Sequence, residues 1–265
     1  MAITTGIPGL DHLLGGGYPN GVVHVYGADD AGKTQLCLQA LRDEAGMYIA
    51  CAGLPELQDY GASAVVVPYT SEAAIEAAYT AVASGVRLVC MDSLAGIASG
   101  AEGESLREVD ASATQRLLFH GLLELNNLAQ RRESTILTVN EMRVDIQDHR
   151  VKPYSHRVLD DVRLTVLSIL CKRGQFVTEY GRLARVGISL HVGRTWRSAL
   201  KRSLELFLVP PYGVDVDYDE ITLLTSLGTL TRTGAYWRDA EGRTYGPGYE
   251  HAARRWRDAR IGSNR

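Results

Sequence analysis

Gly21-Val22-Val23-His24-Val25-Tyr26, followed at once by Gly27-Ala28-Asp29-Asp30-Ala31-Gly32-Lys33-Thr34, is the stretch that decides the fold. The first six residues read as a short apolar strand, and Lys33–Asp43 carries a helical pattern. Between them the spacing fits G-x-x-x-x-G-K-[S/T]. Glycines there let backbone N–H groups turn inward around phosphate oxygens, and the N-terminus of the following helix adds its dipole. The expected binding shell is Gly27, Ala28, Asp29, Asp30, Ala31, Gly32, Lys33 and Thr34, with Gln35 adjoining it. Lys33 is expected to reach the β- and γ-phosphates of a nucleoside triphosphate, ATP by expectation, and the Thr34 hydroxyl to ligate Mg²⁺.

Further along, Leu88-Val89-Cys90-Met91-Asp92 is an apolar run that ends in an acid. That is the form of a strand-end carboxylate holding Mg²⁺ through water, so Asp92 joins Thr34 as a candidate metal residue. This equipment is common to phosphoryl-transfer ATPases and GTPases and does not choose among them.

Working outward, residues 1–172 alternate strand and helix. Met47–Cys51, Arg87–Met91 and Ser134–Val139 read as strands, and Ser71–Ala83 and Ser112–Arg131 as helices. Strands apolar throughout, alternating with helices, predict an α/β fold with a mainly parallel sheet covered on both faces. After Asp160 the pattern becomes one of antiparallel strands (Val162–Leu170, Leu183–Val192, Ser203–Leu208), which predicts an antiparallel extension. A helix over Tyr218–Leu227, a hairpin around Ala240-Glu241-Gly242 and a basic helix over Pro247–Arg260 follow. The expected division is a core over 1–213 and a small α+β lobe over 214–265.

Composition narrows the class. The chain has 265 residues, is 45% hydrophobic and 22% charged, and carries a formal net charge of -3. No apolar run approaches the roughly 18 residues a membrane span needs, and the start lacks a signal-peptide pattern, so a cytoplasmic protein is expected. Cys37, Cys51, Cys90 and Cys171 lack metal-ligand spacing, and buried free thiols are expected at Cys51 and Cys90. No acid occurs between Glu179 and Glu205, while Arg182, Arg185, Arg194, Arg197, Lys201 and Arg202 do. Arg254, Arg255, Arg257, Arg260 and Arg265 crowd the tail. These clusters suggest either an anion-binding face or a solvated surface.

The chain resembles the RecA family of bacterial and phage recombinases. Thr4-Thr5-Gly6-Ile7-Pro8-Gly9-Leu10-Asp11 is similar to the family's entry before the phosphate loop, and Met91-Asp92-Ser93-Leu94-Ala95 to its "VDSVAAL" strand end. Asn140-Glu141-Met142-Arg143 resembles its "NQIR". Thr233-Gly234-Ala235-Tyr236-Trp237, with Tyr245-Gly246-Pro247-Gly248, resembles the hairpin of its C-terminal lobe. The resemblance implies a RecA-type P-loop core, ATP and Mg²⁺ as cofactors, and an ATP-dependent filament that pairs single-stranded DNA with homologous double-stranded DNA. It implies two loops lining a DNA channel, at Ser99–Asp110 and about Val144–Arg157. In the second, Arg150, Lys152, Tyr154, His156 and Arg157 supply charge and an aromatic for gripping DNA. It also implies that Tyr218 packs on a nucleotide base held by a neighbouring subunit, although Tyr218 is equally open to being a core aromatic of the lobe.

The departures bear on catalysis. The family's water-orienting glutamate aligns with Ala52, and Glu56, four residues on, is the candidate substitute. The glutamine that senses the γ-phosphate is replaced by Glu141, and the family's interface lysines fall at Leu190-His191-Val192. The family's N-terminal docking segment has no counterpart here, so self-association is expected with the filament form left open. Two functions follow. One is an ATP- and DNA-binding protein of homologous recombination and repair. The other is a degenerate paralogue that binds ATP with little hydrolysis and serves other repair proteins as an accessory module. A different ATPase of the same fold, such as a clock-type kinase or a helicase, has no place for the C-terminal hairpin.

Overall fold

A computed structural model of the chain describes residues 2–29, 31–52, 62–96, 111–144, 151–153, 165–179, 182–194, 202–209 and 213–263. The chain enters through a turn that Asp11 ties down. Its carboxylate accepts hydrogen bonds from Thr4 Oγ1 and the Thr5 N–H, both at 2.7 Å. Helix α1 (Pro8–Leu14) starts on Pro8, whose missing N–H is harmless at a first helical position, and stops at Gly15 with φ +81°.

Next come β1 (Gly21–Gly27), α2 (Lys33–Asp43), β2 (Gly46–Ala50), β3 (Ala62–Val66), α3 (Ser71–Ala83), β4 (Leu88–Asp92), α4 (Ala111–Arg131) and β5 (Thr135–Val144). Then follow β6 (Val151–Pro153), β7 (Thr165–Glu179), β8 (Arg182–Arg194), β9 (Arg202–Val209) and β10 (Gly213–Val214). Among the described residues these strands form one sheet in the order β10-β9-β8-β7-β1-β5-β4-β2-β3, with β6 paired to β5. The run from β7 to β3 is parallel and the run from β7 to β10 antiparallel. This is the α/β fold with a mainly parallel sheet and an antiparallel extension.

Helices cover both faces. Leu36, Cys37, Leu38 and Leu41 of α2 pack with Val23, Val25, Cys90, Leu137 and Val139 of the strands. Ala74, Ala78 and Val82 of α3 and Leu118, Leu122 and Leu125 of α4 pack on Val22, Ile49, Met91 and Ile136 of the other face. Each buried leucine there contributes about 1.5–3 kcal/mol by leaving water.

Two expectations need adjustment. The β1 and β5 strands are not apolar throughout, because His24, Thr138 and Asn140 are buried on them. Helix α1 and strand β3 were not foreseen, being only 7 and 5 residues long, too short for a periodic signal.

Beyond β10, α5 (Val216–Ser226), the sheet β11 (Thr231–Thr233), β12 (Tyr236–Arg238) and β13 (Thr244–Tyr245), and α6 (Tyr249–Ser263) gather their own apolar cluster. Ile221, Leu230, Trp237, Tyr245, Ala252 and Ala253 form it. Asp219 of α5 reaches back to accept the Gly9 N–H at 2.6 Å. A Cβ on Gly9 would lie 2.3 Å from that carboxylate, so the contact requires glycine. No described helix is long and apolar enough to cross a membrane.

Candidate nucleotide site

The β1 strand ends at Gly27, and the loop returns to α2 through Gly32. This glycine has φ +89°, a backbone conformation that favours glycine, and a Cβ on it would press on Leu208 Cδ1 at 2.5 Å. Gly32 also occupies the N-cap of α2, and no side chain caps that helix. The start of such a helix, through its first-turn N–H groups and its dipole, suits an anion. The Lys33 ammonium is folded back on the loop, donating to Gly27 O at 3.2 Å and Ala28 O at 2.7 Å. Asp29 and Ala28 are exposed and Ala31 is buried. The Gln35 Oε1 lies near Gly213, where an added Cβ would meet it at 3.2 Å.

Asp92 closes the other side. Its Oδ2 accepts the Thr34 hydroxyl at 2.5 Å and the Tyr48 hydroxyl at 2.8 Å. Burial, reinforced by the Asp92 charge, pushes the Tyr48 hydroxyl well above its ordinary range, so it stays a donor. The Asp92 carbonyl accepts the N–H groups of Cys51 at 2.6 Å and Ala52 at 3.3 Å. The end of β2 is thereby fastened to the end of β4. Ala52 is exposed, and Gly96 approaches so closely that a Cβ there would lie 2.5 Å from Ala52 Cβ.

The residues present fit a Mg²⁺–nucleotide. The loop is a glycine-dependent cradle with an uncapped helix start, and a hydroxyl and a carboxylate adjoin at its edge. Among the described residues no group of three or more His, Cys, Asp or Glu is arranged to hold a metal. A hydroxyl plus one carboxylate matches Mg²⁺, which keeps waters and takes phosphate oxygens rather than an all-protein cage. Bound there, the ion would neutralise charge on the phosphates; the chain's own part is to aim Lys33, the α2 amides and Thr34 at them.

Glu141 sits beside the loop, because β5 pairs with β1 in a register that sets Gly27 against Glu141 and Tyr26 against Asn140. A buried polar ladder leads to it. The neutral His24 ring shares a hydrogen bond with Thr138 Oγ1 at 2.9 Å and accepts from Asn140 Nδ2 at 3.4 Å. Asn140 Oδ1 in turn accepts the Glu141 N–H at 2.9 Å. Burial lowers the His24 pKa to about 3. Strand β5 then runs on to Val144 and pairs with β6, where Arg143 opposes Lys152 and Val144 opposes Val151.

The structure thus brings together Gly27, Lys33, Thr34, Asp92 and Glu141. Tyr218 lies apart, in an aromatic cluster with Phe207 (edge to face, centroids 4.8 Å apart) and Tyr249 (tilted, 4.6 Å) that joins β9 to the terminal helices. Lys152 lies on β6, and Asp30, Glu56, Arg150, Tyr154, His156 and Arg157 lie outside the described residues, as do Trp196 and Arg197. Two tail arginines are paired with acids: Arg254 with Glu250 at 2.9 Å, and Arg257 with Asp217 at 2.5 Å and Glu220 at 2.7 Å. Cys37, Cys51 and Cys90 are buried free thiols.

Sequence reasoning missed Tyr48 and the His24–Thr138–Asn140 ladder. The available signal was a hydroxyl or ring nitrogen inside strands that otherwise read as apolar.

Comparison with known proteins agrees with this geometry. A family model described as "ATPase: KaiC" matches residues 3–57, the entry turn through the phosphate loop and β2. Protein RecA of Synechococcus sp. (strain CC9311) is 30% identical over 276 aligned residues, covering 94% of this chain and 69% of that protein. Protein RecA of Prochlorococcus marinus (strain NATL1A) is 29% identical, with 94% and 70% covered. Protein RecA of Helicobacter hepaticus (strain ATCC 51449 / 3B1) is 31% identical over 161 residues, 55% of this chain and 47% of its own. With a P-loop of this construction and a likeness that runs through almost its whole length, the chain belongs to the RecA family.

Proposed function

We propose that this protein binds ATP with Mg²⁺ and, in that state, binds single-stranded DNA and pairs it with homologous duplex in recombination and repair. One observation carries the reading: Glu141, the register partner of Gly27, lies on the same strand that runs on to Val144 and pairs with β6. A change at the γ-phosphate position is therefore one strand away from the segment expected to meet DNA. Gly27–Gln35 cradle the nucleotide, with Lys33 on the β- and γ-phosphates. Thr34 and Asp92 hold the metal, and Arg150, Lys152, Tyr154, His156 and Arg157 meet DNA. Tyr218 contributes to a nucleotide held by a neighbouring copy. Residues 1–213 act as the ATP-binding core and 214–265 as a lobe, in keeping with the separate apolar cluster of the latter.

Ala52 favours a second reading, in which ATP is held with little hydrolysis and the protein assists other repair proteins. Its methyl group can neither accept a proton nor orient water beside Asp92. Strand exchange between an oligonucleotide and homologous duplex, with ATP and Mg²⁺, separates the two. Exchange abolished by Lys33→Ala supports the first reading. ATP binding without exchange supports the second, and no DNA binding at low salt contradicts the first.

A further inference from the structure

The Tyr48 hydroxyl is the polar end of a side chain otherwise sunk in apolar core, 1% exposed, between Cys37 and Cys90. It does not use a backbone carbonyl of its own sheet. It crosses from β2 to the end of β4 and donates to Asp92 Oδ2 at 2.8 Å, the same oxygen that takes the Thr34 hydroxyl at 2.5 Å. The register explains the reach: Tyr48 opposes Cys90, and Ala50 opposes Asp92. The long phenol spans the two-residue offset that a shorter side chain could not.

We infer that Tyr48 is a positioning residue for the metal-side carboxylate, a role that rests on the nucleotide reading above. Two hydroxyl donors, one from α2 and one from β2, hold Asp92 Oδ2 from different directions and fix the plane of the carboxylate. The carboxylate is thereby held in one orientation beside Thr34 at the edge of the phosphate loop. The Asp92 backbone carbonyl, held by Cys51 and Ala52, fixes the same residue from its main chain. Side chain and backbone of Asp92 are thus both anchored to β2, so a shift of this strand moves the carboxylate with it. Orienting hydrogen bonds of this kind are worth about 10- to 100-fold in metal affinity.

The test is the Mg²⁺ dependence of binding of a fluorescent, non-hydrolysable ATP analogue, compared between wild type and Tyr48→Phe, which removes one oxygen and keeps the ring. Affinity in EDTA should stay within about twofold, while the Mg²⁺ concentration for half-maximal enhancement rises about tenfold. In an Asp92→Ala background, Tyr48→Phe should change neither quantity, because its only route to the metal is gone. Thermal unfolding with and without Mg²⁺–nucleotide supplies the second readout, with the ligand-induced rise in Tm smaller in Tyr48→Phe. An unchanged Mg²⁺ midpoint together with an equal fall in Tm in both conditions would make Tyr48 structural only and overturn the inference. A wild-type protein whose affinity does not respond to Mg²⁺ would overturn the nucleotide reading itself, and the inference with it.

Discussion

Glu141 is the register partner of Gly27 across β1 and β5, so an acidic residue stands beside the first residue of the phosphate loop. A fixed negative charge near the phosphates opposes binding unless a cation intervenes, by about 1 kcal/mol at a partly solvated separation of several ångströms. Glu141→Gln should therefore tighten ATP affinity by about three- to tenfold, with the difference shrinking as Mg²⁺ rises. Equilibrium titration with a fluorescent nucleotide reads this, and weaker binding by the variant would contradict it.

Lys33 donates to two carbonyls of its own loop, Gly27 O and Ala28 O. Replacing it should cost the fold little, about 1 kcal/mol, because each such bond is offset by hydration in the unfolded chain. Lys33→Ala should keep its ligand-free Tm within a few degrees and lose the rise in Tm that saturating ATP gives, about 2.7 kcal/mol of stabilisation at a hundred times Kd. A Lys33→Ala protein still stabilised by ATP would contradict the placement of the site.

Ala52 is exposed and its N–H bonds the Asp92 carbonyl, so the residue lies beside the strand end that carries Asp92. Ala52→Glu should place a carboxylate able to orient water and raise ATP turnover by about 10²-fold or more. Phosphate release under saturating Mg²⁺–ATP measures it. Unchanged turnover in a folded variant would mean that something other than position 52 limits hydrolysis.

Two buried groups set opposing pH dependences. His24 has its folded pKa lowered to about 3 by burial. Its contribution is present above the unfolded value near 6.5 and is lost as pH falls toward 3. Asp219 has its folded pKa raised to about 6, chiefly by burial and against the Gly9 hydrogen bond. Its contribution is full below about 3.8 and is lost as pH rises through 6. Between pH 4 and 6 the two oppose one another. Relative to wild type, His24→Phe should gain stability on acidification through that window, and Asp219→Asn should lose it more steeply. Denaturant unfolding at a series of pH values checks both signs, and slopes of the same sign would contradict the assignment.

How much of this was legible beforehand follows from the kind of signal each feature leaves. The phosphate loop depends on backbone freedom at Gly27 and Gly32 and on Lys33 and Thr34 at fixed offsets, so spacing alone reveals it. The ends of α2 and α3 were read correctly because Lys33–Asp43 and Ser71–Ala83 carry a helical period long enough to see. Glu141 was noticed as a substitution, whereas its pairing with Gly27 is a matter of strand order, with β5 inserted beside β1. Tyr48 was invisible for the same reason: its partner Asp92 is 44 residues away, and only the β2–β4 register joins them. Tyr218 read from resemblance as a nucleotide contact; the structure adds its packing on Phe207 and Tyr249, which no sequence period encodes.

The central claim is that ATP occupancy of the Gly27–Thr34 loop, rather than its hydrolysis, controls DNA binding. The most direct measurement is the affinity for a labelled single-stranded oligonucleotide, by fluorescence anisotropy at fixed salt, without nucleotide and with ATP, ADP or a non-hydrolysable ATP analogue in Mg²⁺. Tight binding with ATP and with the analogue alike, weak binding with ADP or none, and loss of the difference in Lys33→Ala is the predicted result. Affinity that is the same in every nucleotide condition, or that requires hydrolysable ATP, would contradict it.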